Sequence, residues 1–224
     1  MNPLDVLRDS FYFFQRNLGR IVPLCLPLVV FEALLQQLVD HSQGPQAFPG
    51  YSVIVGLLVY PLYTAALILF LDARSRGENP RTRDLLAASA SLWPRFALLT
   101  AVNTLLILIG LSLYFLPGIW LMVMLAFAEY LLVLRNMQPL AAIRESMRLA
   151  RGNFLRILVC ILCVMGPLWL LKGASLSIYP EPQNPAIALL LESIHSFLQL
   201  FTSVVLFRLF MLISEAPDNT EGNA

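Results

Sequence analysis

Residues 117–156 read PGIWLMVMLAFAEYLLVLRNMQPLAAIRESMRLARGNFLR. Pro117-Gly118 predicts a tight corner. Ile119–Leu134 is apolar over about the length that a helix needs to cross a bilayer. Arg135-Asn136 ends that run, Gln138–Gly152 is amphipathic and rich in arginine, and a new apolar run opens at Phe154. One limb of a hairpin, a surface helix and the next limb are all legible there, and the rest of the chain repeats the plan.

Working outward, the 224 residues are 58% hydrophobic and 13% charged, against a soluble norm of about 25% charged. So little charge cannot cover a water-facing surface, so lipid must solvate much of the chain. Six stretches are long and apolar enough to span: 21–39, 51–71, 96–115, 119–134, 154–171 and 186–213. Backbone groups cannot go unpaired in lipid, so runs of this kind are helical, and none shows the dyad alternation of barrel strands. The expected fold class is an all-α polytopic membrane helical bundle, six transmembrane helices with cytoplasmic amphipathic surface helices. Residues 1–214 read as a single integral-membrane domain, and 215–224 as a disordered C-terminal tail. The first apolar run exceeds a signal-peptide h-region and no small-x-small site follows it, so it is expected to be retained.

Charge sets the expected orientation. Fourteen of the fifteen cations are arginine, and all fourteen lie beside or near the same ends of the six runs. The loops at the other ends (40–50, 116–118 and 172–185) hold only Lys172. By the positive-inside rule, both termini and the arginine-rich loops are cytoplasmic. The expected location is the bacterial inner membrane.

The chain also divides into repeat-like units, 1–72, 80–134 and 138–213. Residues 2–21 lie on 138–157 without a gap: Pro3 meets Pro139, Arg8 meets Arg144, Ser10 meets Ser146 and Asn17 meets Asn153. Leu4, Leu7, Phe11 and Phe14 face Leu140, Ile143, Met147 and Ala150, a spacing that forms one stripe on a helix. The middle unit is a weaker copy, since Arg95 arrives six residues early.

Phe13-Phe14-Gln15-Arg16-Asn17-Leu18, Pro117-Gly118-Ile119, Ser146-Met147-Arg148-Leu149 and the closing Phe207-Arg208-Leu209-Phe210-Met211-Leu212-Ile213 carry a resemblance. The chain resembles the YciC family of bacterial inner-membrane proteins along most of its length. More distantly, it resembles the membrane domain of glycerophosphodiester phosphodiesterases. The resemblance implies a multi-pass inner-membrane protein and no catalytic motif. It also implies an apolar residue or proline where this chain has Glu129.

No nucleophile–histidine set, phosphate-cradling glycine loop or metal motif is present, so no catalytic residue, cofactor or metal site is expected. Cys160 and Cys163 form a CxxC but sit among apolar residues with no histidine near, and read as small hydrophobes. Ionisable residues inside apolar runs are the sharper signal, because charge at bilayer depth costs about 2.5–3.5 kcal/mol on the lenient scale. Glu129 and Arg208 sit at similar depths and are expected to pair between spans four and six. Glu32, Glu192 and His195 form a candidate titratable cluster in the outer half, with Glu192 and His195 at i, i+3. Arg144, Arg148 and Arg151, with Arg8 as counterpart, are candidate contacts for lipid headgroups. The expected partners are membrane lipids and other inner-membrane proteins, and no nucleic acid. A non-enzymatic role in envelope maintenance through lipid headgroups or membrane partners is the first reading. A small-solute or proton-coupled transporter is the second, and a lipid-modifying enzyme using Glu192 and His195 the third.

Overall fold

The computed structural model describes residues 3–43, 50–178 and 185–214. Eight helices follow one another among the described residues: α1 Pro3–Gln43, α2 Gly50–Ser75, α3 Thr82–Leu113, α4 Phe115–Leu125, α5 Ala128–Arg135, α6 Pro139–Arg151, α7 Phe154–Ile178 and α8 Pro185–Ser214. Six stretches, with α4 and α5 counted together, have the length and hydropathy to cross a membrane. Leu105 and Leu108 of α3 and Leu155, Leu162 and Leu170 of α7 are exposed. A belt of this kind is stable only against lipid. The expected all-α membrane bundle is therefore what the chain forms, while the tail 215–224 lies outside the described residues.

Where the helices begin and end differs from expectation in three places. α1 runs without interruption from the surface segment through the first span and on to Gln43, so Asp40–Gln43 is helix rather than loop. α3 likewise joins its arginine-bearing segment to the third span. Among the described residues, only α6 is a separate surface helix. The hairpin corner falls at Tyr114, whose extended backbone (φ −161°, ψ 156°) separates α3 from α4, and not at Pro117-Gly118. Pro117 lies in the first turn of α4, where a missing N–H costs nothing. Gly118 serves the packing of the hairpin instead. A Cβ there would stand 2.5 Å from Leu111 Cγ, so only glycine lets α4 lie this close to α3.

The fourth span is broken. Ala126-Phe127 interrupts it between α4 and α5, and the cause is a side chain from the next element. Ser146 of α6 donates its hydroxyl to the Met124 carbonyl (2.8 Å) and accepts the Phe127 N–H (3.1 Å). A buried hydroxyl thus takes one acceptor and one donor out of the i→i−4 ladder, which bends or breaks a helix.

The broken span is also the axis of the bundle. Phe127, Ala128, Tyr130, Leu131 and Leu132 are almost wholly buried. Phe127 and Tyr130 pack on Phe210 of α8 with ring centroids 5.7 Å apart. Asn136 ends α5 in the left-handed region (φ 49°), a conformation that asparagine adopts readily as a helix terminator. The arginine-rich end is tied by polar contacts between elements. Arg74 Nε donates to Asn17 Oδ1 at 3.1 Å, Arg95 reaches Asn136 at 3.4 Å, and Arg20 and Arg74 both reach Asn79.

Candidate functional site

α1, α2, α3, α4, α5, α7 and α8 do not close completely on one another. They leave a cavity of about 550 Å³ whose wall carries three carboxylates, Glu32, Glu129 and Glu192, from three different helices. Among the described residues, no lysine, arginine or histidine lines it. Hydroxyls and amides complete the polar surface, with Tyr60 and Tyr63 from α2, Thr100, Asn103 and Thr104 from α3, and Ser196 from α8. Leu57, Ile107, Met122, Leu125, Ile161 and Leu206 supply apolar wall. A concave, mostly apolar space of this size with a few convergent polar groups is the usual form of a small-molecule site.

Each carboxylate is held differently. Glu129 stands in the first turn of α5, where the partial positive charge of a helix N-terminus favours an anion. The Tyr60 hydroxyl donates to it, 3.3 and 3.2 Å from its two oxygens. Tyr60 in turn packs edge-on against Tyr63, centroids 5.5 Å apart. Glu32 Oε1 accepts from Gln36 at 3.3 Å, and the carboxylate also interacts with the Tyr63 hydroxyl. Gly56 of α2 lies against it, and a Cβ there would make an ordinary contact of 3.4 Å with Glu32 Oε1. Glu192 is nearly half exposed and lies 3.9 Å from Lys172 Nζ of α7. Asn103 is 8% exposed and its Oδ1 has no partner. Tyr130 braces the wall by donating to the Ser203 carbonyl at 2.8 Å.

Of the residues singled out from the sequence, Glu32 and Glu192 meet on this wall and Glu129 joins them. His195 is on α8 one turn from Glu192 but is not among the lining side chains. Glu129 and Arg208 do not pair. Arg208 is half exposed and lies 3.8 Å from Asp9 of α1, while Glu129 faces Tyr60. Equal depth placed the two on one level of the bundle, but they emerge from their helices on different sides. Arg8, Arg144, Arg148 and Arg151 are all exposed, with Arg148 bonded to Glu145 at 2.7 Å. No three histidine, cysteine, aspartate or glutamate side chains among the described residues are close enough together to hold a metal ion.

The sequence reading missed Tyr60, Tyr63, Asn103 and Ser146. The signal for Asn103 was present, since Thr100, Asn103 and Thr104 are polar at i, i+3, i+4 in an apolar run and so share one face. Ser146 stood out by its register with Ser10, but nothing local marked its bonds to the fourth span.

A six-span helical membrane protein with a polar cavity between its helices and a broken central span is the class that the fold and site define. The chain belongs to the family described as "Uncharacterised protein family (UPF0259)", whose model matches residues 50–212. The UPF0259 membrane protein of Sodalis glossinidius (strain morsitans) is 25% identical over 194 residues, 83% of this chain and 76% of the relative. That of Pectobacterium carotovorum (strain PC1) is 24% identical over 188 residues, 80% and 72% of the two chains. One from Yersinia pestis (strain Pestoides F) is 24% identical over 167 residues, 75% of this chain and 64% of the relative. No solved structure matches the chain. These matches carry neither the YciC name nor a link to glycerophosphodiester phosphodiesterases.

Proposed function

We propose that this protein is a membrane-embedded, carrier-type binder of a small polar solute. The single observation behind this reading is the 550 Å³ cavity walled by Glu32, Glu129 and Glu192. Ionisable groups in membrane spans face substrate or ion paths far more often than lipid. A broken span beside such a cavity adds support, because helices interrupted near the bilayer midplane supply binding groups in many transporters. The reading is non-enzymatic. It takes the protein to lie in the bacterial inner membrane with its arginine-rich end, including both termini, toward the cytoplasm.

Solvent access tests it. With the exposed Cys163 replaced by serine, Thr104→Cys and Ser203→Cys place thiols on the α3 and α8 walls. In proteoliposomes both should react with a small water-soluble thiol reagent. A thiol at Leu67, which is fully buried in the core, should not. Silence of both wall thiols would overturn the reading.

A second reading, engagement of anionic headgroups or membrane partners in envelope maintenance, is favoured by α6. That helix buries Ala142, Ile143, Ser146 and Ala150 and leaves Arg144, Arg148 and Arg151 exposed. Each arginine near an anionic leaflet contributes about 1 kcal/mol. Native mass spectrometry should show bound anionic lipid, and less of it once all three arginines are glutamine.

A further inference from the structure

We infer that the solute taken by the cavity is a small organic ammonium ion with an apolar portion attached. This inference rests on the proposed binding role and adds the ligand's chemical class.

The wall is unbalanced in its hydrogen-bonding chemistry. Glu32, Glu129 and Glu192 are the charged groups that line it, and all are acceptors when ionised. Asn103 Oδ1 is an acceptor with no donor, on a side chain more than nine-tenths buried. Buried polar atoms are rarely left without partners. Three carboxylates on one cavity wall with no lining cation call for a ligand that brings N–H donors and positive charge. An ammonium supplies both. A sugar would bring donors without charge, and an anion would oppose all three carboxylates.

The remaining wall narrows the class. A bare metal ion would need three or more ligands converging within bonding distance, and the carboxylates do not converge in that way. The volume falls within the usual range for organic ligands. Tyr60 and Tyr63 are among the lining residues, and aromatic rings attract alkylammonium groups. Leu57, Ile107, Met122 and Leu206 would cover an apolar substituent. The protein already sets one ammonium against this wall: Lys172 Nζ stands 3.9 Å from Glu192, where both side chains are about half exposed. An incoming ammonium would compete with Lys172 at Glu192 and then pass inward to Glu129 and Glu32.

The test uses three thiol reagents of similar size and different charge: trimethylammonioethyl, sulfonatoethyl and uncharged methyl methanethiosulfonate. They are applied to Thr104→Cys in the Cys163→Ser protein in proteoliposomes, with rates normalised to those of free 2-mercaptoethanol. Clefts of one sign concentrate counter-ions about tenfold or more, so the cationic reagent should lead the sulfonate by roughly that factor. The lead should disappear in Glu32→Gln/Glu129→Gln/Glu192→Gln. Ser203→Cys repeats the measurement from the opposite wall, should Thr104→Cys not fold. Equal rates, a lead for the sulfonate, or a cationic lead that survives the glutamines would overturn the ammonium inference while the binding role stands. Failure of all three reagents at both positions would overturn the binding role as well.

Discussion

The first surface segment and α6 have matching sequences and opposite structural fates. Residues 2–21 align with 138–157 without a gap, yet the first continues into its span as one helix and the second stops at Gly152-Asn153 before α7 begins. The two serines at the same register show the consequence. Ser10 is 1% exposed and its hydroxyl has no partner. Ser146 is fully buried and bonded to both Met124 and Phe127, at the point where the fourth span breaks. Because α6 is free of α7, it can seat against the broken span. The first segment is fixed by its own continuity and instead lies along α8, with Phe11 and Phe14 packed on Phe201. The same amphipathic pattern therefore yields a rigid extension in one place and a separate wedge in the other.

Ser146→Ala and Ser10→Ala should separate these roles most widely. Removing the Ser146 hydroxyl strands the Met124 carbonyl and the Phe127 N–H in the interior, at a cost of about 1–3 kcal/mol. Removing the Ser10 hydroxyl strands nothing and should be neutral or slightly stabilising. Thermal unfolding of both variants in one detergent decides it, and equal losses would erase the distinction. Glu129 stands on the helix that the break creates, so Ser146→Ala should also slow the reaction of Thr104→Cys, whereas Ser10→Ala should leave it unchanged.

A smaller contrast is expected about two turns further along. Asn17 is 5% exposed, donates to the Phe13 carbonyl at 2.8 Å and accepts from Arg74 at 3.1 Å, joining α1 to α2. Its counterpart Asn153 accepts from exposed Arg156 within its own turn. Asn17→Ala should cost about 1–1.5 kcal/mol, the net worth of a lost buried hydrogen bond plus its stranded partner. Asn153→Ala should stay within about 0.5 kcal/mol, as surface changes usually do. Denaturation midpoints compared side by side would show it, and a larger loss at Asn153 would contradict the assignment of the inter-helix tie to Asn17.

These differences explain what the sequence could and could not disclose. The six spans were legible because lipid imposes length and hydropathy on any helix that crosses it. Helix ends were less so. The change from polar to apolar at Arg20-Ile21 marks where the solvent changes, and α1 passes through it unbroken. The break at Ala126-Phe127 was invisible because Leu125-Ala126-Phe127-Ala128 holds no glycine or proline, and its cause lies on another helix. Glu32, Glu129 and Glu192 were legible as charges in the wrong solvent. That they share a cavity, and that Glu129 meets Tyr60 rather than Arg208, depends on helix rotation, which periodicity does not fix.

Gly152→Ala gives the smallest expected effect and asks what sets the break between α6 and α7. Gly152 stands where the first segment has Arg16, so the glycine is the obvious local cause. Its backbone is nevertheless right-handed helical (φ −76°, ψ −13°) and a Cβ there would meet nothing within 4 Å. Alanine fits that conformation and restricts the unfolded chain, so the variant should gain about 0.4–1 kcal/mol. If packing of Ser146, Ile143 and Ala150 holds α6 against the fourth span, the break should survive the substitution. Spin labels at exposed Arg144 and Leu162 would lie about 27 Å apart along one straight helix at 1.5 Å per residue. The distance should remain shorter than that in Gly152→Ala and lengthen once Ser146→Ala is added. Lengthening in Gly152→Ala alone would mean that the glycine, and not the serine wedge, separates the two surface segments.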